Sequence, residues 1–557
     1  MKNFPLLRAA GALLVAAALA GCSVAPPAQT APTAQARPRL VVFLAVDGFP
    51  QRQVLAYRDQ LAPDGFARFL DRGTWFANAH YGHSVTATAP GHAVMLTGAY
   101  PHRSGIINNE WRDVNTGEAV YNTGDARHSY IGHRTRPLDG TSPRNLKVET
   151  VGDVVRRANP QSKVIAISGK DRGAILPAGH AGTAYMYMSE TGQFASSTYY
   201  MKEHPAWVAD FHAKKPADRF FKAEWKPLLP EAAYARSLPD MQPWFGKRVG
   251  KLPMMMGAPG DEAPGVAYYS GLLASPFADA LALEFARAAI VGEALGRDDA
   301  PDILSVSLSG HDYVNHYWSA ESRLSHDHVL QLDRLLEAFF RDLDATVGRD
   351  NYIALLTADH GFMPAPEYSQ SQGQPSGKLS AGTMLARINA DLQRSFGEAR
   401  LVPFISASTA LVIDRKAAAQ KGLDLGAVAE AARTSLLAEP AIAAAYTRRE
   451  LESGSRAGAP YFDQMRRSWH KDVSGDVHYA LKPLWMATSS SGYSTTHGSP
   501  HPYDTHVPIL VWGPRWVKPG KVDARVEVAD IAPTIARFLG VPAPAAAEGR
   551  PLPLPAP

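Results

Sequence analysis

Asp47, Thr88, Asp312, His316, Asp359, His360 and His497 are the residues whose types could do chemistry together. Six are carboxylates or imidazoles, the donors that a hydrolytic two-zinc centre takes. The seventh carries a hydroxyl able to act as a nucleophile. They are spread over 450 positions, so only a fold that gathers them can use them. If they converge, the chemistry is hydrolysis of a phosphate ester.

Local context supports each residue to a different degree. Asp312 and His316 are four apart in His311-Asp312-Tyr313-Val314-Asn315-His316, which puts both on one face of a helix. A plain surface pair is the alternative. Asp359 and His360 sit in Thr357-Ala358-Asp359-His360-Gly361. On a strand they would face opposite ways; on a turn, which Gly361 is expected to permit, they could share one ion. Asp47 directly follows an apolar run. A carboxylate there needs a cation or hydrogen-bond partners, or else it caps the next helix. Thr88 lies two residues before Pro90, near an expected helix start. Exposed N–H groups there favour an oxyanion, although a simple threonine cap is the plainer reading. His497 stands in Ser494-Thr495-Thr496-His497-Gly498-Ser499, a segment suited to an ordered loop. With 19 histidines in the chain, most cannot be ligands.

Five short apolar runs would have to position these residues: Leu40–Val46, Lys163–Ile167, Ile303–Leu308, Tyr352–Leu356 and Val507–Trp512. Unbroken runs of this kind suit central strands of a parallel sheet covered on both faces. Four of the five release a candidate residue at their carboxyl ends, and the fifth comes just after His497. Helical spacing appears over Val329 to Val347 and Ile531 to Leu539. The alternation predicts an α/β fold, a central mostly parallel sheet with helices on both faces. In open sheets of this class the active site gathers beyond the carboxyl ends of the strands. Residues 370–485 are rich in Ala and Ser and break the rhythm, which predicts an inserted cap subdomain. Residues 180–275, rich in Trp, Tyr, Pro and Met, are expected to form a second insertion.

The 557 residues can bury a sizeable core, and 45% hydrophobic with 20% charged is an ordinary globular balance. The net charge of +4 becomes +2 once Lys2 and Arg8 leave with a leader. No clustered basic run points to a nucleic-acid partner. The leader is expected over residues 1–21: two positive charges, an apolar stretch from Ala9 to Ala20, then Leu19-Ala20-Gly21-Cys22. That end resembles a bacterial lipobox, which would leave Cys22 as a lipidated N-terminus. Cys22 is the only cysteine, so no intramolecular disulfide can form. Residues 22–38 read as a flexible tether, and 39–550 as the catalytic domain. Ser23 after the cysteine points to the periplasmic side of the envelope, at the outer membrane.

The strings VVFLAVDG, TATAPGHAVMLTG, GIINNEW, SGKDRGAILPAGH, GHDYVNHYW, TADHGF and TTHGSPHPYDTHVPI together resemble the alkaline phosphatase superfamily. They are most similar to its phosphate-irrepressible alkaline phosphatases, a branch related to the nucleotide pyrophosphatase/phosphodiesterases. The resemblance implies an alkaline phosphatase-like fold with two zinc ions (Zn2+). One would be held by Asp312, His316 and His497. The other would be held by Asp47, Asp359, His360 and the Thr88 oxygen. It further implies Thr88 as the nucleophile of a phosphothreonine intermediate, Asn109 as a donor to phosphate oxygen, and Lys170 with Arg172 as the phosphate-contacting pair.

Sulfatases of this superfamily use a modified Cys or Ser, which the Thr at position 88 and the single Cys22 exclude. Cofactor-independent phosphoglycerate mutases use a Ser nucleophile and manganese. Phosphodiesterases share the metals and the threonine but lack the Lys/Arg pair, so Lys170 and Arg172 favour small phosphate monoesters as partners. A non-catalytic lipoprotein that binds phosphate or metal is the reading from another class. Oligomeric state, the physiological substrate and any additional calcium are open at this level.

Overall fold

The computed structural model describes residues 37–555, apart from 247, 399, 406–408 and 489–491. The expected leader, Cys22 and the tether up to residue 36 lie outside the described residues. No helix among the described residues is long and apolar enough to cross a membrane.

Nine strands form one sheet: β1 (Leu40–Val46), β2 (Thr74–Phe76), β3 (Val164–Ser168), β4 (Thr183–Met188), β5 (Gln193–Ala195), β6 (Asp302–Leu308), β7 (Tyr352–Thr357), β8 (Ile509–Trp512) and β9 (Gly520–Val522). Their spatial order is β9-β2-β8-β7-β1-β6-β3-β4-β5. The middle of the sheet, β7-β1-β6-β3-β4, is wholly parallel. All seven residues of β1 are buried, as its unbroken apolar run requires of a strand covered on both faces. In register, Val46 pairs with Leu308, Ala45 with Thr357 and Ser307 with Ser168. The carboxyl ends of β1, β3, β6 and β7 therefore finish at one edge, and the segments after them begin side by side.

The fifth apolar run departs from the expected parallel arrangement. β8 is antiparallel to β7, with Ile509 opposite Thr357. An antiparallel neighbour starts where the parallel strands end. That reversal brings His497, which precedes β8 in the chain, to the same edge as Asp47 and Asp359.

Three helices carry or brace site residues next to this edge: α1 (Thr88–Thr97), α2 (Asp171–Ala178) and α4 (Gly310–Trp318). Behind α4 lie α3 (Pro276–Gly292) and α5 (Arg323–Leu343), and α6 (Ile531–Leu539) packs on α1. The pattern expected over Val329 to Val347 is longer at its start, because Ser322 caps the helix by accepting from Ser325 N. It ends in a wider turn at Asp344–Gly348.

The two expected insertions differ. Residues 377–488 have an apolar core of their own, around Met384, Ile388, Val428, Leu436 and Val477. They also carry a separate four-stranded antiparallel sheet, Phe404–Ile405, Ala410–Val412, Val477–Leu481 and Ile442–Thr447. The boundary at 180 needs correction: β4 and β5 fall inside 180–275 yet belong to the central sheet. Trp225, Tyr234, Phe245 and Tyr268 of that stretch also join the main core. Asp327 on α5 fastens it, accepting from Trp225 Nε1 at 2.6 Å and from Leu228 N at 2.7 Å.

Helix α1 approaches β7 so closely that a Cβ on Gly91 would lie 2.2 Å from the Asp359 carbonyl oxygen. Backbone cannot yield there as a side chain would. Gly91→Ala is expected to destabilise the protein by about 1–3 kcal/mol, as read by denaturant titration. Unchanged stability would mean that the approach of α1 to the turn after β7 does not matter.

Candidate active site

The seven candidate residues meet at the carboxyl edge of the sheet. Asp47 is the first residue after β1, and Asp359 and His360 follow β7 by two and three residues. Asp312 and His316 project from one face of α4, as their spacing predicts. Thr88 is the first residue of α1, and the capping position belongs to Ala87, whose side chain cannot cap. The simple threonine cap is thereby ruled out. Asp47 does not cap the next helix, Gln51–Ala56, where Pro50 holds that position.

Two groups of three donors result: Asp312, His316 and His497, and Asp47, Asp359 and His360. In the first, Asp312 Oδ1 lies 3.4 Å from His316 Nε2 and 3.5 Å from His497 Nε2. In the second, His360 Nε2 lies 3.5 Å from Asp47 Oδ1 and 3.4 Å from Asp359 Oδ2. The groups adjoin, with His360 Nε2 3.9 Å from Asp312 Oδ1. The His360 and His497 rings stack.

Hydrogen bonds set every imidazole in one tautomer. His316 Nδ1 donates to Thr495 O at 3.0 Å, His360 Nδ1 to Gly361 O at 2.9 Å and His497 Nδ1 to Thr86 O at 2.9 Å. A carbonyl oxygen only accepts, so each Nδ1 carries the hydrogen and each Nε2 keeps its lone pair for the carboxylates' side. Burial holds all three histidines below their ordinary range, and so neutral. Neutral imidazole is the ligating form.

Three carboxylates, all at most 2% exposed, crowd this space. Lys170 Nζ lies 2.6 Å from Asp312 Oδ2 and 2.8 Å from Asp47 Oδ2. Burial would raise Asp312, but Lys170 and the histidines outweigh it and hold the carboxyl well below its usual range. Asp359 is also held low against burial, by His360 and by His92. Asp47 goes the other way: burial and the charge of Asp359 push it well above the carboxylate range despite Lys170. Asp47 Oδ1, Asp312 Oδ1, Asp359 Oδ2 and His360 Nε2 are buried without hydrogen-bond partners among the described residues. One lysine does not balance three buried carboxylates. The mixed nitrogen and oxygen donors, three per group, fit two divalent cations of the zinc type with room for a further ligand.

An open cavity of about 300 Å3 adjoins the first group, with Asp312, His316 and His497 in its wall beside Thr88, Asn109, Lys170 and Arg172. Asn109 Oδ1 accepts from Ala89 N at 2.8 Å, which leaves its NH2 as a donor. Arg172 Nη1 donates to Tyr121 Oη at 3.2 Å, and Tyr121 in turn donates to Asp171 Oδ1 at 2.6 Å. Burial opposes the charge on Arg172, yet Tyr121 and Asp171 keep it fully protonated.

Glycines act here mainly by leaving space. Gly361, expected to permit a turn, does not adopt positive φ; a Cβ there would meet Tyr503 O at 2.1 Å. Gly48 is the one that turns, at φ +69, and its N–H donates to Asp359 Oδ1 at 3.0 Å. Some contributors escaped sequence reasoning. His92 Nδ1 is 3.3 Å from Asp359 Oδ2. Asp504 accepts from Gly498 N at 3.1 Å and Ser499 N at 2.9 Å, which fixes the loop behind His497. Burial pushes the Asp504 carboxyl up to about 7. Both lie inside the quoted motif strings, but nothing local marks them as braces.

A family model described as type I phosphodiesterase / nucleotide pyrophosphatase matches residues 41–504. Alkaline phosphatase PafA of Elizabethkingia meningoseptica is 34% identical over 93% of this chain and 94% of its own. Alkaline phosphatase PhoV of Synechococcus elongatus is 33% identical, over 93% of each chain. The crystal structure of wild-type PafA superimposes with a TM-score of 0.85 at 33% identity, covering 93% of this chain and 99% of that one.

Asp47 separates stability from metal binding. Its folded pKa lies above its unfolded value, so its stabilising contribution is present at low pH and lost as pH rises through the folded value. Without metal, Asp47→Asn is therefore expected to raise the thermal midpoint at pH 8, while elemental analysis of the zinc-loaded variant shows less bound metal. A lower midpoint in the metal-free variant would contradict the charge crowding described above.

Proposed function

The chain belongs to the type I phosphodiesterase / nucleotide pyrophosphatase family within the alkaline phosphatase superfamily, and we propose that it is a zinc-dependent phosphomonoesterase with Thr88 as nucleophile. Full-length similarity to alkaline phosphatases makes it a phosphoric monoester hydrolase. The carrying observation is one cavity whose wall joins Thr88, Asn109, Lys170 and Arg172 to Asp312, His316 and His497, the donor group that the Asp47, Asp359 and His360 group adjoins.

In this reading Asp312, His316 and His497 hold one zinc ion, and Asp47, Asp359 and His360 hold the other with the Thr88 oxygen. Bound zinc would supply Lewis acidity, easing loss of the Thr88 proton and offsetting charge on the entering and leaving oxygens. Thr88 Oγ attacks phosphorus in line, a P–O bond to threonine forms, and the bond to the leaving alcohol breaks. Water then hydrolyses the phosphothreonine and restores the hydroxyl. Thr88 stands at the amino end of α1, where the helix dipole favours the phosphoryl charge. The Asn109 NH2, the Lys170 ammonium and the Arg172 guanidinium stabilise the non-bridging oxygens. Tyr121 and Asp171 orient the guanidinium for that task.

The family description leaves a phosphodiesterase as the second reading. Charge argues for the monoester: its dianion carries one more negative charge than a diester, and the cavity has two cations, Lys170 and Arg172, to meet it. Kinetics with p-nitrophenyl phosphate and bis-p-nitrophenyl phosphate, with and without chelator, decide between them. The expected result is a strong monoester preference that chelation abolishes; a diester preference would move the chain to the second reading.

Thr88→Ala is expected to lower kcat/KM by roughly 10^4-fold or more while bound zinc is largely kept. Near-normal turnover would remove Thr88 as the nucleophile. Arg172→Ala is the cleaner probe of the phosphate pair, because Lys170 also neutralises ligand carboxylates. It should cost roughly 10^2- to 10^3-fold on the monoester and much less on the diester; equal losses would sink the monoesterase argument.

The leader and Cys22 support placing the enzyme on the periplasmic side of the envelope, anchored by lipid at the outer membrane. Cys22→Ser should then shift it from the membrane fraction to the soluble one. Continued membrane association of that variant would reject the anchor.

A further inference from the structure

Helix α4, which carries Asp312 and His316, begins at Gly310 with no cap from Ser309 before it. Its first N–H donates instead to Asp279 Oδ1 on α3, at 3.0 Å. A carboxylate at a helix N-terminus satisfies an open N–H and favours the helix dipole. Here it comes from another helix. Asp279 is fully buried, and its Oδ2 lies 3.2 Å from Nε2 of His328 on α5, also fully buried. A Cβ on residue 310 would stand 2.8 Å from both of those atoms, so only glycine admits them.

His328 does not act alone. Its Nδ1 lies 3.2 Å from His311 Nδ1, and His311 Nε2 lies 2.8 Å from Gln53 Oε1. Gln53 Nε2 donates to Ala320 O at 2.9 Å and to Ser325 Oγ at 2.8 Å, which fixes the amide so that Oε1 faces His311. Ser325 Oγ donates to Asn315 Oδ1 at 2.6 Å, and Asn315 Nδ2 donates to Gly48 O at 3.0 Å, next to Asp47. The chain of contacts thus runs from the start of α4 to Gly48, the second residue after β1.

The hydrogens in this chain can be counted. Gln53 to His311 and His311 to His328 are hydrogen bonds that take one hydrogen each. His328 Nε2 and Asp279 Oδ2 make no hydrogen bond but stand 3.2 Å apart, buried and with no other partner among the described residues, so their lone pairs would repel unless a third hydrogen lay between them. Two neutral imidazoles supply two. The third either makes the imidazole pair cationic beside the Asp279 carboxylate or sits on Asp279 itself. In both arrangements the buried cluster is neutral overall, which a lone buried carboxylate could not be without large cost.

We propose that Asp279 and His328 are positioning residues for the metal centre: Asp279 caps the ligand-bearing helix from outside it, and His328, held by His311, neutralises that cap. The inference rests on the metal-centre reading above. Neither residue touches the reacting atoms. Their role is to fix the height and rotation of α4, and with it Asp312 and His316.

Metal release on chelator challenge tests this in the full zinc-loaded enzyme, with the thermal midpoint measured alongside. Asp279→Ala is expected to release metal roughly 10-fold faster or more. Asp279→Asn should stay near the wild-type rate, because the amide still accepts from Gly310 and supplies the third hydrogen to His328. His328→Leu leaves a buried carboxylate unpaired and should release quickly; adding Asp279→Asn should slow it again. A role in packing alone would not produce that suppression. If His328→Leu does not fold, His328→Gln with and without Asp279→Asn makes the same comparison. Wild-type release from Asp279→Ala, or a double variant no slower than the single, overturns the proposal. A wild-type enzyme that retains no metal overturns the metal-centre reading and this proposal with it.

Discussion

Three carboxylates buried within a few ångströms of each other are the constraint around which this structure is built. Asp47, Asp312 and Asp359 are almost fully excluded from water. Lys170 reaches two of them and the histidines surround all three. A packed apolar sheet makes their burial possible, because seven buried residues in β1 leave Asp47 no path to solvent. The same crowding explains why the carboxyls diverge, with Asp47 pushed up and Asp312 held down. Such crowding of charge is the environment that a divalent cation would relieve.

Rigidity around the centre comes mainly from backbone. Each histidine of the two donor groups is held by a carbonyl oxygen: Thr495 O, Gly361 O or Thr86 O. Such partners cannot change protonation state, so the imidazoles are pre-set as neutral donors. Close approaches bring Gly48 against Asp312, Gly91 against Asp359, and Gly361 against the Tyr503–Asp504 backbone. Ligand geometry is thereby settled by the sheet edge and not by long flexible side chains, a requirement for holding cations at a fixed separation.

The Asn109 and Arg172 end of the cavity is built differently. Asn109 and Arg172 sit on loops and on the first turn of α2, steered by single hydrogen bonds to Ala89 and Tyr121. Thr409, from the segment with its own core, reaches the same cavity. The two donor groups gather beyond the sheet edge, from the ends of β1 and β7, from α4 and from the loop before β8, whereas the cavity wall is shared with a separately packed region. Leaving-group preference can therefore vary with that region while the metal groups stay unchanged.

Much of this was legible in the sequence because the signals were local. Unbroken apolar runs marked β1, β3, β6 and β7, and the four-residue spacing put Asp312 and His316 on one helix face. The motif strings carried the family and the candidate ligands. What the sequence could not decide was set by partners distant in the chain. The antiparallel direction of β8 depends on pairing with β7, and it alone explains how His497 arrives. Strands β4 and β5 look like part of an insertion until they dock on β3. Asp279 and His328 are ordinary helix residues by spacing, and their cap on α4 exists only once three helices pack. Residue type and periodicity are properties of a segment; direction, proton placement and charge balance are properties of the contacts between segments, and only the tertiary structure creates those.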